Sequence, residues 1–223
     1  SFLPVLSKYQ DDPVHYAAVT SKFARLTAYI TFPSLGILAA LAPALFHMLF
    51  GTKWDGSIQL FQLLLLQGMC VVISGLYSNF ILARGKAKLL VVSESVRYVV
   101  ALIAIVATLP YLSLSSAADV TEGIKIFLYG QIAASCAFWC VMTILAARVS
   151  HRRWWTLPLD LSPYLAQSLV IVLGIGSLYN LSLPSWAIIL IGTIGGGAIY
   201  LGINMVLHSR IQADAIAYLR HKL

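Results

Sequence analysis

Residues 161–207 read LSPYLAQSLVIVLGIGSLYNLSLPSWAIILIGTIGGGAIYLGINMVL, 47 residues without one Asp, Glu, Lys or Arg. A single helix of that length would measure about 70 Å, more than twice the ~30 Å hydrocarbon thickness of a bilayer. The run is too apolar for water and too long for one crossing, so it must turn back on itself. The segment YNLSLPS, with Pro184, supplies the turn and divides the run into two spans. Four more charge-free stretches, Leu26–Thr52, Gly56–Ala83, Tyr98–Ala118 and Ile126–Ala147, hold 27, 28, 21 and 22 residues. Each is long enough to cross a membrane. The fold class that follows is all-α, a polytopic membrane bundle of about six transmembrane helices. Composition agrees: 60% of residues are hydrophobic, 10% are charged, and the mean hydropathy is +0.86.

The basic residues set the expected orientation. Lys8, Lys22 and Arg25 precede the first span, Lys53 follows it, and Arg84, Lys86 and Lys88 follow the second. Lys125 follows the third span, Arg148, Arg152 and Arg153 follow the fourth, and Arg210, Arg220 and Lys222 close the chain. Basic residues concentrate in cytoplasmic loops, so both ends are expected in the cytoplasm. The formal charge of +7 is then a matter of topology and anionic lipid contact, and nucleic acid is not an expected partner. Three regions result: 1–25, a cytoplasmic segment with an interfacial helix from about residue 13; 26–207, the six-helix bundle; and 208–223, a cytoplasmic amphipathic tail.

Enzyme chemistry finds no footing. The sequence carries no phosphate-binding loop, metal-binding histidine pair or nucleophile elbow, and the longest loop, Pro110 to Lys125, is too short for a catalytic domain. No cofactor and no metal is expected. Cys70, Cys136 and Cys140 fall within spans and read as small packing residues.

Polar residues inside spans are therefore the candidates for function. The third span opens LVVSESVRYVVALIAIV over residues 90–106, with Glu94 and Arg97 three apart and able to meet on one helix face. Arg97 is expected near mid-membrane, with Val92, Val96, Val99 and Ile103 on the outer side. Two readings stand: a static ion pair joining helices, or a substrate-binding and coupling site in which Arg97 attracts a phosphate and Glu94 holds it or carries a proton. Gln67, Ser74 and Ser78 share a face of the second span with Cys70 and are candidate cavity-lining residues, with interhelical hydrogen bonding as the alternative. Pro33 and Pro43 should interrupt the hydrogen bonding of the first span. Gly192 and Gly196 form a GxxxG pair suited to close helix packing or to a dimer contact.

A family resemblance joins these features. FLPVLSKYQDDP, then KFARLTAYITFPSLGILAALAPALFHMLFGTKW, then NFILARGKAKLL resemble the second half of bacterial polysaccharide flippases of the multidrug, oligosaccharidyl-lipid and polysaccharide exporter superfamily. The punctuation residues are Phe32, Pro33, Ala42, Pro43, Leu49, Phe50, Gly51, Lys53 and Trp54, followed by Leu82, Ala83, Arg84, Gly85 and Lys86. The resemblance covers residues 1 to about 150; the last two spans resemble the family in topology alone. It implies one lobe of a two-lobed transporter of 12 to 14 helices in the bacterial inner membrane. Such a protein flips undecaprenyl-diphosphate-linked oligosaccharide by alternating access, for lipopolysaccharide or exopolysaccharide synthesis. The implied partners are membrane lipids, the lipid-linked oligosaccharide, an N-terminal lobe missing here, and glycan polymerase or glycosyltransferases. A drug or cation exporter of the same superfamily and a non-transporting assembly factor for envelope synthesis remain alternatives.

Overall fold

The structure, a computed structural model, describes residues 3–9, 12–112, 117–181 and 183–207. These residues form α1 (Leu3–Lys8), α2 (Pro13–Leu49), α3 (Asp55–Ala83), α4 (Ala87–Leu112), α5 (Ala117–Val149), α6 (Thr156–Leu178) and α7 (Ser185–Val206), with short 3-10 turns at Thr52–Trp54 and Tyr179–Leu181. Six of the helices, α2 to α7, are long and apolar enough to cross a membrane. No strand occurs among the described residues. Helices suit this sequence because lipid offers no partner to backbone N–H and C=O groups, which must be satisfied within the segment.

The uncharged run of 161–207 folds as its length demands. α6 ends at Leu178, a turn follows, and Pro184 caps the start of α7 in extended geometry. Elsewhere the helices extend beyond the apolar stretches. Residues 13–25 are the first turns of α2 rather than a separate helix, and Asp119, Glu122 and Lys125 lie within α5 rather than in a loop. Hydropathy marks the lipid-facing part of a helix, whereas backbone hydrogen bonding continues into water. The tail from residue 208 lies outside the described residues.

Each helix end has a local cause. Asp12 caps α2, its Oδ1 accepting the N–H groups of Val14 and His15 at 3.0 and 3.1 Å, and Pro13 at the first position has no N–H to satisfy. Gly85, at φ 68°, stops α3: its N–H reaches Leu82 O at 2.9 Å and the Lys86 N–H reaches Ile81 O at 3.3 Å. His151 does the same at the end of α5 with φ 53°, unusual for a residue with a Cβ.

The helices pack in two groups. α2 lies against α6 and α7, α3 and α4 lie against α5, and α2 with α3 joins the groups. Buried Phe32, Tyr77, Phe80, Met142, Leu157 and Ile171 belong to one continuous apolar core. Gly192 and Gly196 bring α7 onto α2 and α6: a Cβ on Gly196 would stand 3.1 Å from Ile171 and 3.5 Å from Ile37. The GxxxG pair thus serves packing within the chain. α4 is the outlier, with only 6% of its most apolar window buried.

Candidate functional site

Glu94 and Arg97 face the interior of the α3–α4–α5 group. The guanidinium donates from Nε to Glu94 Oε2 at 2.8 Å and from Nη2 to the same oxygen at 2.7 Å. It lies 5.2 Å from the Phe138 ring of α5 and 4.8 Å from that of Tyr98, and Nη2 also donates to the Tyr98 hydroxyl at 3.3 Å. Such face contacts suit a cation held away from water. Both charged side chains remain about one third exposed, while Val92, Val96, Val99 and Ile103 are exposed on the outward side. Arg97 stands ten residues beyond Ala87, the start of α4. That is about 15 Å along the helix, half the thickness of the ~30 Å core.

The pair borders a cavity of about 90 Å³ that is also lined by Ser74 and Cys70 of α3 and by Ser135 and Phe138 of α5. Ser74 is 4% exposed, and its Oγ has no hydrogen-bond partner among the described residues. A buried hydroxyl left in this state is costly, and a polar cavity gives it somewhere to find a ligand or water. Gln67 lies outside the lining and reaches Ser135 Oγ at 3.5 Å. Ser78 also lies outside it; its hydroxyl donates to the Ser74 carbonyl of its own helix at 3.1 Å. Of the three stripe residues, the structure brings only Ser74 to the Glu94–Arg97 cavity. Cys70 Sγ and Cys136 Sγ are 3.7 Å apart across the α3–α5 contact, and no cluster of three metal-ligating residues occurs among the described residues.

A second polar centre was not visible in the spacing of the sequence. Asp160, in the first turns of α6 and 5% exposed, accepts Arg25 Nε and Nη2 on Oδ1 at 2.9 and 2.6 Å. Arg152 Nη1 and the Ser21 hydroxyl bond its Oδ2 at 2.8 and 2.7 Å. One buried carboxylate therefore ties α2, α6 and the α5–α6 turn together at the basic end of the bundle. The available signal was that Asp160 is the sole acidic residue between Lys125 and Arg210.

Comparison with known proteins bears on what this arrangement belongs to. Residues 2–59 match a family described as "Polysaccharide biosynthesis protein". Over 97 residues, 44% of this chain, the sequence is 30% identical to a Klebsiella pneumoniae protein named "Uncharacterized membrane protein in cps region". That match takes in 20% of the relative, so the chain spans about a fifth of the length of the curated protein it matches. No solved structure matches. The family match ends in the first turns of α3, before Ser74, Glu94 and Arg97 are reached. The chain is a multi-pass helical membrane protein similar to membrane proteins of polysaccharide biosynthesis.

Proposed function

We propose that this chain is part of a transporter that flips undecaprenyl-diphosphate-linked oligosaccharide across the bacterial cytoplasmic membrane by alternating access. The observation that carries the reading is a guanidinium–carboxylate pair beside an unpartnered hydroxyl in one cavity, which the register of α4 leads us to expect near mid-membrane depth. Ionisable groups at that depth are costly and commonly mark substrate or ion pathways. Arginine is suited to phosphate because its planar fork presents several N–H donors. The similarity to polysaccharide biosynthesis proteins supports a glycan-linked substrate. In this reading the chain is not an enzyme, both its ends are cytoplasmic, and a second lobe completes the cavity. Glycosyltransferases and the glycan polymerase are its working neighbours.

The test is a charge swap in the full-length protein, Glu94→Arg together with Arg97→Glu. A purely structural pair tolerates reversal, whereas a phosphate-attracting guanidinium is displaced. The expected result is a stably inserted protein with at least about tenfold slower transfer of lipid-linked sugar, equivalent to losing ~1.4 kcal/mol of substrate interaction. A swapped protein that is stable and flips at the normal rate would overturn the role of Arg97. A cation or drug moved in place of lipid-linked sugar would favour the exporter alternative.

A further inference from the structure

Four buried side-chain polar atoms have no hydrogen-bond partner among the described residues: Ser74 Oγ, Tyr77 Oη, Trp139 Nε1 and Ser150 Oγ. All four belong to α3, to α5 or to the residue that follows α5. Buried polar groups are nearly always bonded, so a concentration of orphans along one helix contact points to a shared partner.

The contact between α3 and α5 is polar along much of its length. Gln59 meets the Tyr129 hydroxyl at 3.4 Å, Gln67 meets Ser135 at 3.5 Å, and Cys70 meets Cys136 at 3.7 Å. Residue numbers rise together on the two sides, so the helices run parallel, and the next turns bring Ser74 and Tyr77 toward Trp139 and Thr143. The first two contacts are long for a direct hydrogen bond. A polar seam that closes this loosely is one that water can enter.

Tyr77 is the centre of the seam. The residue is 0% exposed, and the Trp139 and Thr143 side chains stand beside its hydroxyl. Even so, neither Tyr77 Oη nor Trp139 Nε1 is aligned for a hydrogen bond. The indole N–H can only donate. Thr143 donates its own proton to Trp139 O at 2.8 Å, which leaves its oxygen as an acceptor. One water oxygen can accept from Trp139 Nε1 while its two protons reach Thr143 Oγ1 and Tyr77 Oη. That supplies three partners, the usual number for a buried water. Asp160 and Arg152 also act on the Tyr77 hydroxyl electrostatically, whereas cavities that stay dry are apolar. Ser74 stands three residues before Tyr77 on the same face of α3 and lines the Glu94–Arg97 cavity.

We propose that α3 and α5 enclose a bound-water site formed by Tyr77, Trp139 and Thr143, continuous through Ser74 with the water of the Glu94–Arg97 cavity. The charged pair is then hydrated from inside the bundle rather than from the lipid-facing side of α4. The site belongs to the helix contact itself and holds for any cargo.

The test is hydroxyl-radical footprinting of the full-length protein in lipid nanodiscs, with radicals generated by a short X-ray pulse and modified side chains located by mass spectrometry. Radicals form where water is, so a buried side chain is modified when bound water touches it. Tyr16 is the control: it is equally buried, and its hydroxyl donates to Phe80 O. Tyr77 and Trp139 should be modified, together with Phe138 at the cavity, while Tyr16 stays at background. Trp139→Phe should lower the modification of Tyr77 about fivefold, the effect on water occupancy of losing one hydrogen bond. Tyr77→Phe should lower that of Trp139 as much. A Tyr77 as unreactive as Tyr16 would mean that it bonds Trp139 directly, and would overturn the site. Modification confined to Phe138 would restrict water to the cavity and overturn it as well, as would Tyr77 and Trp139 each indifferent to loss of the other. The comparison of Tyr77 with Tyr16 needs no substitution, so it decides the matter even if a variant fails to insert.

Discussion

Asp160 holds one negative charge between two guanidiniums, and every close partner it has is a donor. A satisfied buried cluster of this kind fixes geometry, and removing its anion leaves buried positive charge uncompensated. Asp160→Asn should lower stability by about 3 kcal/mol, the low end for breaking a buried pair. Arg25→Ala should cost less, because Arg25 is half exposed and water can replace part of the contact. Thermal unfolding of the purified protein in detergent checks the order; equal losses would show that Asp160 is not the keystone. The cavity at Ser74 contrasts with this cluster: there a hydroxyl and one guanidinium nitrogen remain unused. The closed site suits a structural role for Asp160, and the open one is where the role proposed for Arg97 would act.

At the scale of the element, α2 shows how a span carries two prolines without losing its backbone bonding. Proline at position i denies a donor to the carbonyl at i−4. Pro33 therefore frees Tyr29 O, and the Tyr200 hydroxyl of α7 donates to it at 2.8 Å. Pro43 frees Ala39 O, and Gln62 of α3 donates to it at 2.9 Å. Tyr179 Oη stands between Ala40 O and the Ala44 N–H at 2.9 and 3.4 Å, and Ser168 of α6 bonds Phe32 O at 2.7 Å. Gly36 permits that last approach, since a Cβ there would collide with the Ser168 hydroxyl. Three neighbouring helices and a turn thus complete the hydrogen bonding of the fourth. Tyr200→Phe should cost about 1–3 kcal/mol by leaving Tyr29 O unsatisfied. In a Pro33→Ala background the same change should cost markedly less, because an alanine at that position restores the N–H. A double-mutant cycle on unfolding free energies checks this; simple additivity would show that Tyr200 does not replace the missing bond.

For the whole molecule, the cluster of Arg25, Arg152 and Asp160 marks one end, and His47 paired with Asp55 at 2.9 Å marks the other. Lys86 is exposed at the Arg25 end and Lys53 at the His47 end. In the reading proposed above, the basic excess puts the Arg25 end in the cytoplasm. In a background of Cys70→Ala, Cys136→Ala and Cys140→Ala, a cysteine at position 53 should react with an impermeant thiol reagent added to intact cells. One at position 86 should react only after the membrane is opened. The opposite pattern would invert the topology. α4, weakly covered by its neighbours, is the face most open to the second lobe proposed above.

The number of spans was legible in the sequence because a bilayer enforces it: residues 161–207 are too long and too apolar for any arrangement but two crossings. The Glu94–Arg97 contact was legible too, since residues three apart on a helix meet wherever that helix packs. Helix periodicity also put Ser74 and Ser78 on one face, but could not tell which hydroxyl would be used within its own helix and which would be left open. Asp160 with Arg25 and Arg152, and the prolines of α2 with Tyr200 and Gln62, were beyond reach for a related reason. Their partners are brought together by which helix lies beside which, and hydropathy, which records only contact with lipid, is blind to that choice. The solvent determined that helices cross; the side-chain packing of one helix on another decided where the cavity lies.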